Sequence, residues 1–450
     1  MTPAARLQAA ADILDQVSGT RTTVEAVLKQ WGQGNRYAGS KDRRAIADRV
    51  YRCVRGRSRL LWAMQKGEKS PGHTKGEGRA LVLASLALID GMAIEDIEIL
   101  YSGAGYGPQP LTEDERGLLS AADGEAPAWV RSGLPEFVVS RFQQQFGGAW
   151  AVEATCLMMP RAPIDLRVNG AKTTREAMLK VLVEEGLSPQ PTPFSLFGIR
   201  LPAEPPPSLV KLTAYQQGLI EIQDEGSQLA AFLAGAGLLP GADKGKMPKV
   251  IDFCAGGGGK TLALAQMMNG KGEIYACDVV EKRLRAIEPR LQRAGASAHF
   301  VHFFDPENDT QLSQLHDADL VLVDAPCSGS GTWRRHPEEA HRLNEAEVER
   351  LHTLQTHILS RAARCVRPGG RLVYVTCSVL DDENAATADV FEAENPAFVA
   401  LPIHSLAGMA GLFVDNTAQL TELSAGHRLR LTPHTTATDG FFIAAYTRTS

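Results

Sequence analysis

The chain has 450 residues, 44% of them hydrophobic and 22% charged, with a formal net charge of −5 at neutral pH. That composition excludes fibrous repeats and disordered polymers, and the length predicts two or three domains rather than one core. No apolar run reaches the length of a membrane span, and the N-terminus shows no charged-then-apolar leader. Seven cysteines without a CxxC pair argue against a disulfide framework and a zinc ribbon, so a cytoplasmic protein with no metal site is expected.

Residues 1–130 read as all-α. Arg6–Val17, Thr23–Gln30, Asp42–Arg55 and Arg79–Leu100 carry apolar residues at three- and four-residue spacing. Nine basic residues lie between Arg36 and Arg59 (Arg36, Lys41, Arg43, Arg44, Arg49, Arg52, Arg55, Arg57, Arg59) against two acidic ones, and Lys66, Lys69, Lys75 and Arg79 extend the run. On an acidic protein such a local excess predicts a contact with a polyanion rather than a merely solvated face.

Residues 135–207 read as a small α/β piece. A helix ends near Met159, Ile164–Val168 is a strand, and Thr173-Thr174-Arg175-Glu176 has the spacing of a capping box opening a helix to Glu185. The prolines of Pro189–Pro193 and Pro202–Pro207 read as stiff linkers.

From Lys211 onward strands alternate with helices, the signature of a parallel α/β sheet, and residues 208–450 form the third expected domain. Strand Lys249–Phe253 runs into Cys254-Ala255-Gly256-Gly257-Gly258-Gly259-Lys260-Thr261 and a helix, which lets a ligand approach backbone N–H groups at the positive end of a helix dipole. Strand Glu273–Cys277 ends in Asp278, about 20 residues beyond the glycines and placed for ribose hydroxyls. Strand His299–Phe303 ends near Asp305, which could reach an adenine edge. The strand Leu320–Val323 breaks at Asp324 into Ala325-Pro326-Cys327, and Arg371–Ser378 repeats the arrangement, with Cys377 at its carboxyl end. Between them Glu345–Cys365 reads as a long helix stopped by Pro368-Gly369-Gly370.

Three uses of the glycine loop compete. Gly259-Lys260-Thr261 copies the end of a phosphate-binding loop, yet the first glycine of that pattern falls on Cys254, and Asp278 would have no task. No GxGxxG register fits, which disfavours a nicotinamide enzyme. S-adenosylmethionine offers ribose and adenine without a pyrophosphate. The cysteines decide the order. Cys53, Cys156 and Cys365 read as small buried hydrophobes, whereas Cys327 and Cys377 both stand at strand ends beside the expected cofactor. A thiolate adding to carbon 6 of cytosine makes carbon 5 nucleophilic enough to accept a methyl group, and a second polar group can then assist release.

These residues resemble the NOP/Sun-type RNA cytosine-5 methyltransferases, in particular their bacterial RsmB-like branch. The likeness is carried by Leu166-Arg167-Val168-Asn169, Gln223-Asp224-Glu225-Gly226-Ser227-Gln228, Asp324-Ala325-Pro326-Cys327-Ser328-Gly329, Arg335-His336-Pro337, Thr376-Cys377-Ser378, Glu383-Asn384 and Asp439-Gly440-Phe441-Phe442. Arg44-Ala45-Ile46-Ala47-Asp48-Arg49-Val50-Tyr51 is similar to the NusB-type helical domain of that branch. The resemblance implies a class I, Rossmann-like methyltransferase domain using S-adenosylmethionine, preceded by a small RNA-binding α/β subdomain and a NusB-like RNA-binding domain. It implies Cys377 as nucleophile, Cys327 in product release, Asp324 and Lys260 at the methyl-transfer site, and the loop from Cys254 to Lys260 with Asp278, Asp305 and Asp324 as cofactor contacts. The implied substrate is ribosomal RNA of the small subunit. One departure stands out: the family loop has Ala-Pro where this chain has Gly256-Gly257, so less of its conformation is fixed in advance. An RNA-binding assembly factor with an idle catalytic domain is the rival of a different class, and the intact cysteine pair, Asp324 and Lys260 argue against it.

Overall fold

The computed structural model describes residues 1–65, 76–120, 126–203, 208–237, 247–303, 312–410 and 414–450. Two compact units emerge: Met1–Pro160 with Thr332–Glu345, and Arg161–Gly331 with Ala346–Ser450.

The first unit is helical. Its opening helix, Pro3–Ser18, starts where Thr2 accepts a hydrogen bond from the Ala5 amide and Pro3 takes a first-turn position, where its missing N–H costs nothing. Leu7, Ile13, Leu14 and Val17 from this helix pack with Val24, Val27, Ile46, Val50, Leu60, Leu61 and Leu81–Ala84 in one apolar core. The expected helix over Arg79–Leu100 is instead two, Glu77–Leu88 and Ile94–Leu100, because the chain turns at Gly91 with a φ of 65°. The basic run is also not one free patch. Arg49 and Arg52 share Asp90, Arg57 is buried in a bidentate pair with Glu77, and Arg43 donates to the Ala38 carbonyl. Arg55 donates to the carbonyls of Pro160 and Arg334. Arg36, Lys41 and Arg44 stay exposed with no ion pair among the described residues; Lys66, Lys69 and Lys75 lie outside those residues.

The segment Thr332–Glu345 belongs to this helical unit although it follows the Cys327 loop in sequence. Trp333 is fully buried, and the short helix Pro337–Arg342 presents opposite charges to two helix ends. Arg342 donates to the carbonyls of Val17 (3.0 Å), Thr20 (3.0 Å) and Thr22 (2.9 Å), at the negative end of Pro3–Ser18. Glu338 accepts from the amide of Val24 (3.0 Å), the first residue of the helix Val24–Gly34. Each charge therefore satisfies an orphan backbone group and sits at the favourable end of a macrodipole.

In the second unit a four-stranded antiparallel sheet comes first, in the order β2-β3-β1-β4, with β1 Ile164–Val168, β2 Gln190–Pro191, β3 Gly198–Leu201 and β4 Ile220–Ile222. The helix Arg175–Glu184 packs Met178 and Leu182 onto it. Its N-cap is Thr174, one residue later than the capping-box spacing suggests. Pro191 lies in the edge strand β2 rather than in a linker, at a position where a missing N–H is tolerated. Residues 204–207 of the second proline stretch fall outside the described residues.

The larger sheet contains β5 Lys249–Asp252, β6 Glu273–Asp278, β7 His299–His302, β8 Ala318–Asp324, β9 Val366–Thr376, β10 Phe398–Ala400, β11 Ser424–Ala425, β12 Arg428–Leu431 and β13 Phe441–Arg448. Strands β7, β6, β5, β8 and β9 are parallel neighbours in that order, and β13 joins β9 antiparallel. This is a Rossmann-like architecture. The order reverses between β5 and β8, so the crevice at their carboxyl ends is the topological switch point where such sheets hold ligands. Pro368-Gly369-Gly370 does not stop the preceding helix, which already ends at Ala363. It forms an irregularity inside β9: Ala318 pairs with Val366, and two residues later Leu320 pairs with Arg371.

The helix-end contacts of Glu338 supply a stability test. Glu338→Ala leaves the Val24 amide buried without an acceptor, a loss of about 1–3 kcal/mol. Glu338→Gln, which keeps a carbonyl oxygen there, should recover most of it. Denaturant unfolding of the two variants checks this, and equal midpoints would remove the cap from the account.

Candidate active site

The glycine loop follows β5. Ala255 accepts from the Gly258 amide (2.8 Å), closing a tight turn in which Gly256 and Gly258 take φ values of 54° and 79°. At 258 a side chain is also sterically barred, since a Cβ there would sit 2.6 Å from Ile287. The turn that this chain builds from two glycines thus replaces the Ala-Pro expected at 256 and 257. Asp278, at the tip of β6, braces it by accepting from the Gly256 amide (3.0 Å) and the Val280 amide (2.7 Å). Arg290 donates to the Gly257 carbonyl and Arg167 to that of Gly259 (2.9 Å), so two arginines hold the loop from behind.

Lys260 projects from the first turn of the helix Gly259–Met268 and meets Asp324, at the end of β8, at 2.7 Å. Burial works against the ammonium, but Asp324, with Cys377 and Asp252 further off, outweighs it and raises the Lys260 pKa. The lysine is therefore charged and committed to a carboxylate. Its ammonium also lies 5.3 Å from the Phe441 ring centroid.

Cys327 and Cys377 come together as free thiols with their sulfurs 3.4 Å apart. The hydrogen bond to Cys377 and burial, with the charge of Glu383, push the Cys327 thiol well above its ordinary range. The backbone around the pair is cross-linked. Gly331 donates to the Cys377 carbonyl (2.9 Å), and Gly440 donates to the Gly331 carbonyl (2.8 Å). A Cβ on Gly331 would lie 2.1 Å from the Gly440 oxygen, and one on Gly440 2.3 Å from Val379, so both glycines are required by close backbone approach. Asp224 in turn accepts from the Asp439 amide, and Gly226 leaves room for Phe441.

Sequence reasoning singled out Cys254, Ala255, Gly256, Gly257, Gly258, Gly259, Lys260, Asp278, Asp324, Cys327 and Cys377, and all of them fall at the carboxyl ends of β5, β6, β8 and β9. Asp305 lies outside the described residues. Burial among acidic neighbours raises the Cys254 thiol well above its ordinary range, so it lines the loop as a protonated thiol. Cys53 and Cys365 are buried as expected, and Cys156 is partly so. Two acids were not given roles. Glu383, fully buried, bonds the residues that follow both cysteines, and only its place in a motif marked it. Asp252 is buried at the end of β5, accepts from the Thr261 hydroxyl (2.6 Å) and keeps its other oxygen without a partner. Among the described residues no cluster of side chains suits a metal ion, and no helix is long and apolar enough to cross a membrane.

Burial, opposed by the Thr261 hydrogen bond and reinforced by Asp324, pushes Asp252 up to about 7. The folded chain thus holds this proton more tightly than the unfolded one. The stabilisation is complete below the ordinary value of 3.8 and is lost as pH rises towards 7. Asp252→Asn should remove up to ~1.4 kcal/mol per pH unit of slope from the stability curve across that window. Urea titrations from pH 4 to pH 8 read it out, and an unchanged slope would mean that Asp252 is ionised throughout.

The comparisons with known proteins agree with this geometry. Residues 242–447 match the family model described as 16S rRNA methyltransferase RsmB/F, and residues 134–206 match the ferredoxin-like domain of RsmF/B-like methyltransferases. The chain is 32% identical over 345 residues to ribosomal RNA small subunit methyltransferase B of Pseudomonas syringae, covering 73% of this chain and 72% of that protein. It is 33% identical to the protein of the same name from Salmonella arizonae, where the match spans 58% of each. A crystal structure of a methyltransferase homolog from Pyrococcus horikoshii superposes with a TM-score of 0.55 at 28% identity, over 71% of this chain and 97% of that one. By the extent of these matches and the arrangement at its strand ends, the chain belongs to the RsmB/F family of 16S rRNA methyltransferases.

Proposed function

We propose that this protein is an RNA cytosine-5 methyltransferase acting on a cytosine of small-subunit ribosomal RNA, with S-adenosylmethionine as methyl donor. The observation that carries this reading is the pair of free sulfurs, 3.4 Å apart at one end of two adjacent parallel strands, beside a buried lysine–aspartate pair. The donor set suits a cationic cofactor. Asp278 and Asp324 offer carboxylates, and Lys260 is neutralised by Asp324 rather than left to a phosphate, which weighs against a nucleotide-hydrolysing loop. Asp278 has lone pairs to spare for ribose hydroxyls after serving two amides. When bound, S-adenosylmethionine supplies an electrophilic methyl group beside carbon 5 of the base.

The protein supplies the rest. The Cys377 thiolate adds to carbon 6, forming a carbon–sulfur bond and leaving the electron pair on carbon 5, which bonds the methyl group as its bond to the donor's sulfur breaks with the pair left on that sulfur. A solvent base then takes the proton from carbon 5, the pair of that bond re-forms the ring double bond, and the Cys377 sulfur departs with the electrons of its bond to carbon 6. The Cys327 thiol, held protonated beside it, is placed to hydrogen-bond that departing sulfur. Asp324, fixed by Lys260, presents an acceptor to the base. In this reading the segment 135–207 and the helical residues 1–130 carry RNA to the catalytic domain 208–450. Of the basic run, Arg36, Lys41 and Arg44 are exposed and available to phosphates.

Labelled S-adenosylmethionine, 16S ribosomal RNA and nucleoside digestion test the reaction directly; absence of labelled 5-methylcytosine refutes it. For the cofactor, Asp278→Ala should weaken binding by about 1.5–3 kcal/mol, through the lost acceptor and the unbraced Gly256 amide. Calorimetry with unchanged affinity would move the ribose contact elsewhere. For the cysteines, Cys377→Ala should give neither product nor covalent complex. Cys327→Ala should turn over slowly while accumulating a protein–RNA adduct that survives a denaturing gel, and the double variant should behave like Cys377→Ala. The opposite pattern of trapping exchanges the two roles.

A further inference from the structure

Glu383 is a carboxylate with no exposed surface and no ion-pair partner among the described residues. Its side chain takes four hydrogen bonds, all from neutral donors. One oxygen accepts from the Ser328 amide (2.8 Å) and Gln355 Nε2 (3.0 Å), the other from the hydroxyls of Ser328 (2.5 Å) and Ser378 (2.5 Å). Ser328 follows Cys327 and Ser378 follows Cys377. The same residue is fixed from its backbone, where the Tyr374 hydroxyl donates to its carbonyl (2.7 Å), and the neighbouring Asn384 accepts from Thr376 and donates to the Ser378 carbonyl. A buried carboxylate without a cation is costly unless its lone pairs are filled, and here four donors fill them.

Resting on the two-cysteine reading above, we propose that Glu383 is the positioning residue of the active site, joining the two cysteine loops at one carboxylate and dividing the labour between their sulfurs. Joining follows from geometry: the residues after both cysteines converge on one rigid acceptor, which sets the sulfur–sulfur spacing. Division follows from placement. The groups that face Cys327 are Cys377 from the end of β9, Glu383 from the loop beyond it, Tyr374 on β9 and the Gly329 amide in its own loop. No described cation is among them, while Lys260, the one buried lysine among the described residues, interacts with Cys377. The hydrogen bond to Cys377 and burial, to which the charge of Glu383 adds, keep the proton on Cys327, which serves as the release group and leaves the nucleophile's role to Cys377.

The test measures iodoacetamide labelling of each cysteine in the reduced full-length protein across pH, by peptide mass spectrometry, with no RNA or methyl donor present. Glu383→Gln keeps the shape, since the serine hydroxyls can turn to accept from the new amide, but removes the charge. The labelling midpoint of Cys327 should fall by about one pH unit, and methyl transfer should slow by ~10- to 100-fold with KM for S-adenosylmethionine unchanged. A midpoint that stays in place in a variant of unchanged melting temperature overturns the proposal, whatever the rate. Should Glu383→Gln not fold, the Ser328→Ala/Ser378→Ala protein keeps the charge and removes two arms of the clamp. It should transfer methyl slowly without a lower Cys327 midpoint, and wild-type rates there overturn the clamp. Because labelling needs no substrate, failure of the wild-type protein to make 5-methylcytosine is a separate result that refutes the enzymatic reading alone.

Discussion

The chemistry of this protein depends on the parallel pairing of β8 with β9. Asp324 is in register with Val375, and the Ala325 amide continues the ladder to the Val375 carbonyl at 2.9 Å. Cys377 and the loop bearing Cys327 therefore leave the sheet at the same level. Register is enforced by burial: Leu320–Val323 and Leu372–Val375 are all inaccessible, as expected of strands covered on both faces. A slip of one residue would reverse every side chain and separate the sulfurs. The extra residues of β9 around Gly369 take up the length difference at the far end, so that the functional end stays in step.

Above the sheet the sulfur pair is held by backbone packed closer than side chains allow. Gly331 bridges the Cys377 carbonyl and the Gly440 amide, and Gly440 begins the turn into β13, which pairs with β9. Asp224 ties the same turn to the helix Glu225–Gly235. Residues scattered over more than two hundred positions thus act as one scaffold, in which Gly226, Gly331 and Gly440 share the demand for absence of a Cβ. Rigid elements, not the loops themselves, fix the two sulfurs.

Much of this was legible in the sequence because it is written in strongly patterned stretches. Continuous apolar runs ending in Asp278, Asp324 or Cys377 announce buried parallel strands, and the glycines after β5 announce a helix-capped ligand loop. What was not legible depends on partners remote in sequence. Nothing local says that Pro368-Gly369-Gly370 lies inside a strand, because its pairing with β8 decides that. Nothing in Arg49, Arg52 or Arg57 says that Asp90 and Glu77 will claim them, so a basic run overstated the surface available to a polyanion. Glu383 and Asp252 escaped a role for the same reason: their significance lies in which donors surround them after folding.

The distribution of charge at the strand ends gives the cofactor choice a physical basis. Asp278, Asp324 and Glu383 stand close to the glycine loop or the cysteines, and Lys260 is paired with Asp324. Such a crevice repels a nucleoside polyphosphate and attracts a sulfonium with an ammonium beside it. It also distinguishes donor from spent cofactor, since methyl transfer removes the sulfonium charge and with it part of the attraction, which favours release of the product. The same acidity means that the crevice cannot hold the phosphate backbone of RNA. In the proposed reaction that task falls to cations elsewhere, so base recognition and backbone binding would be carried by different surfaces of the chain.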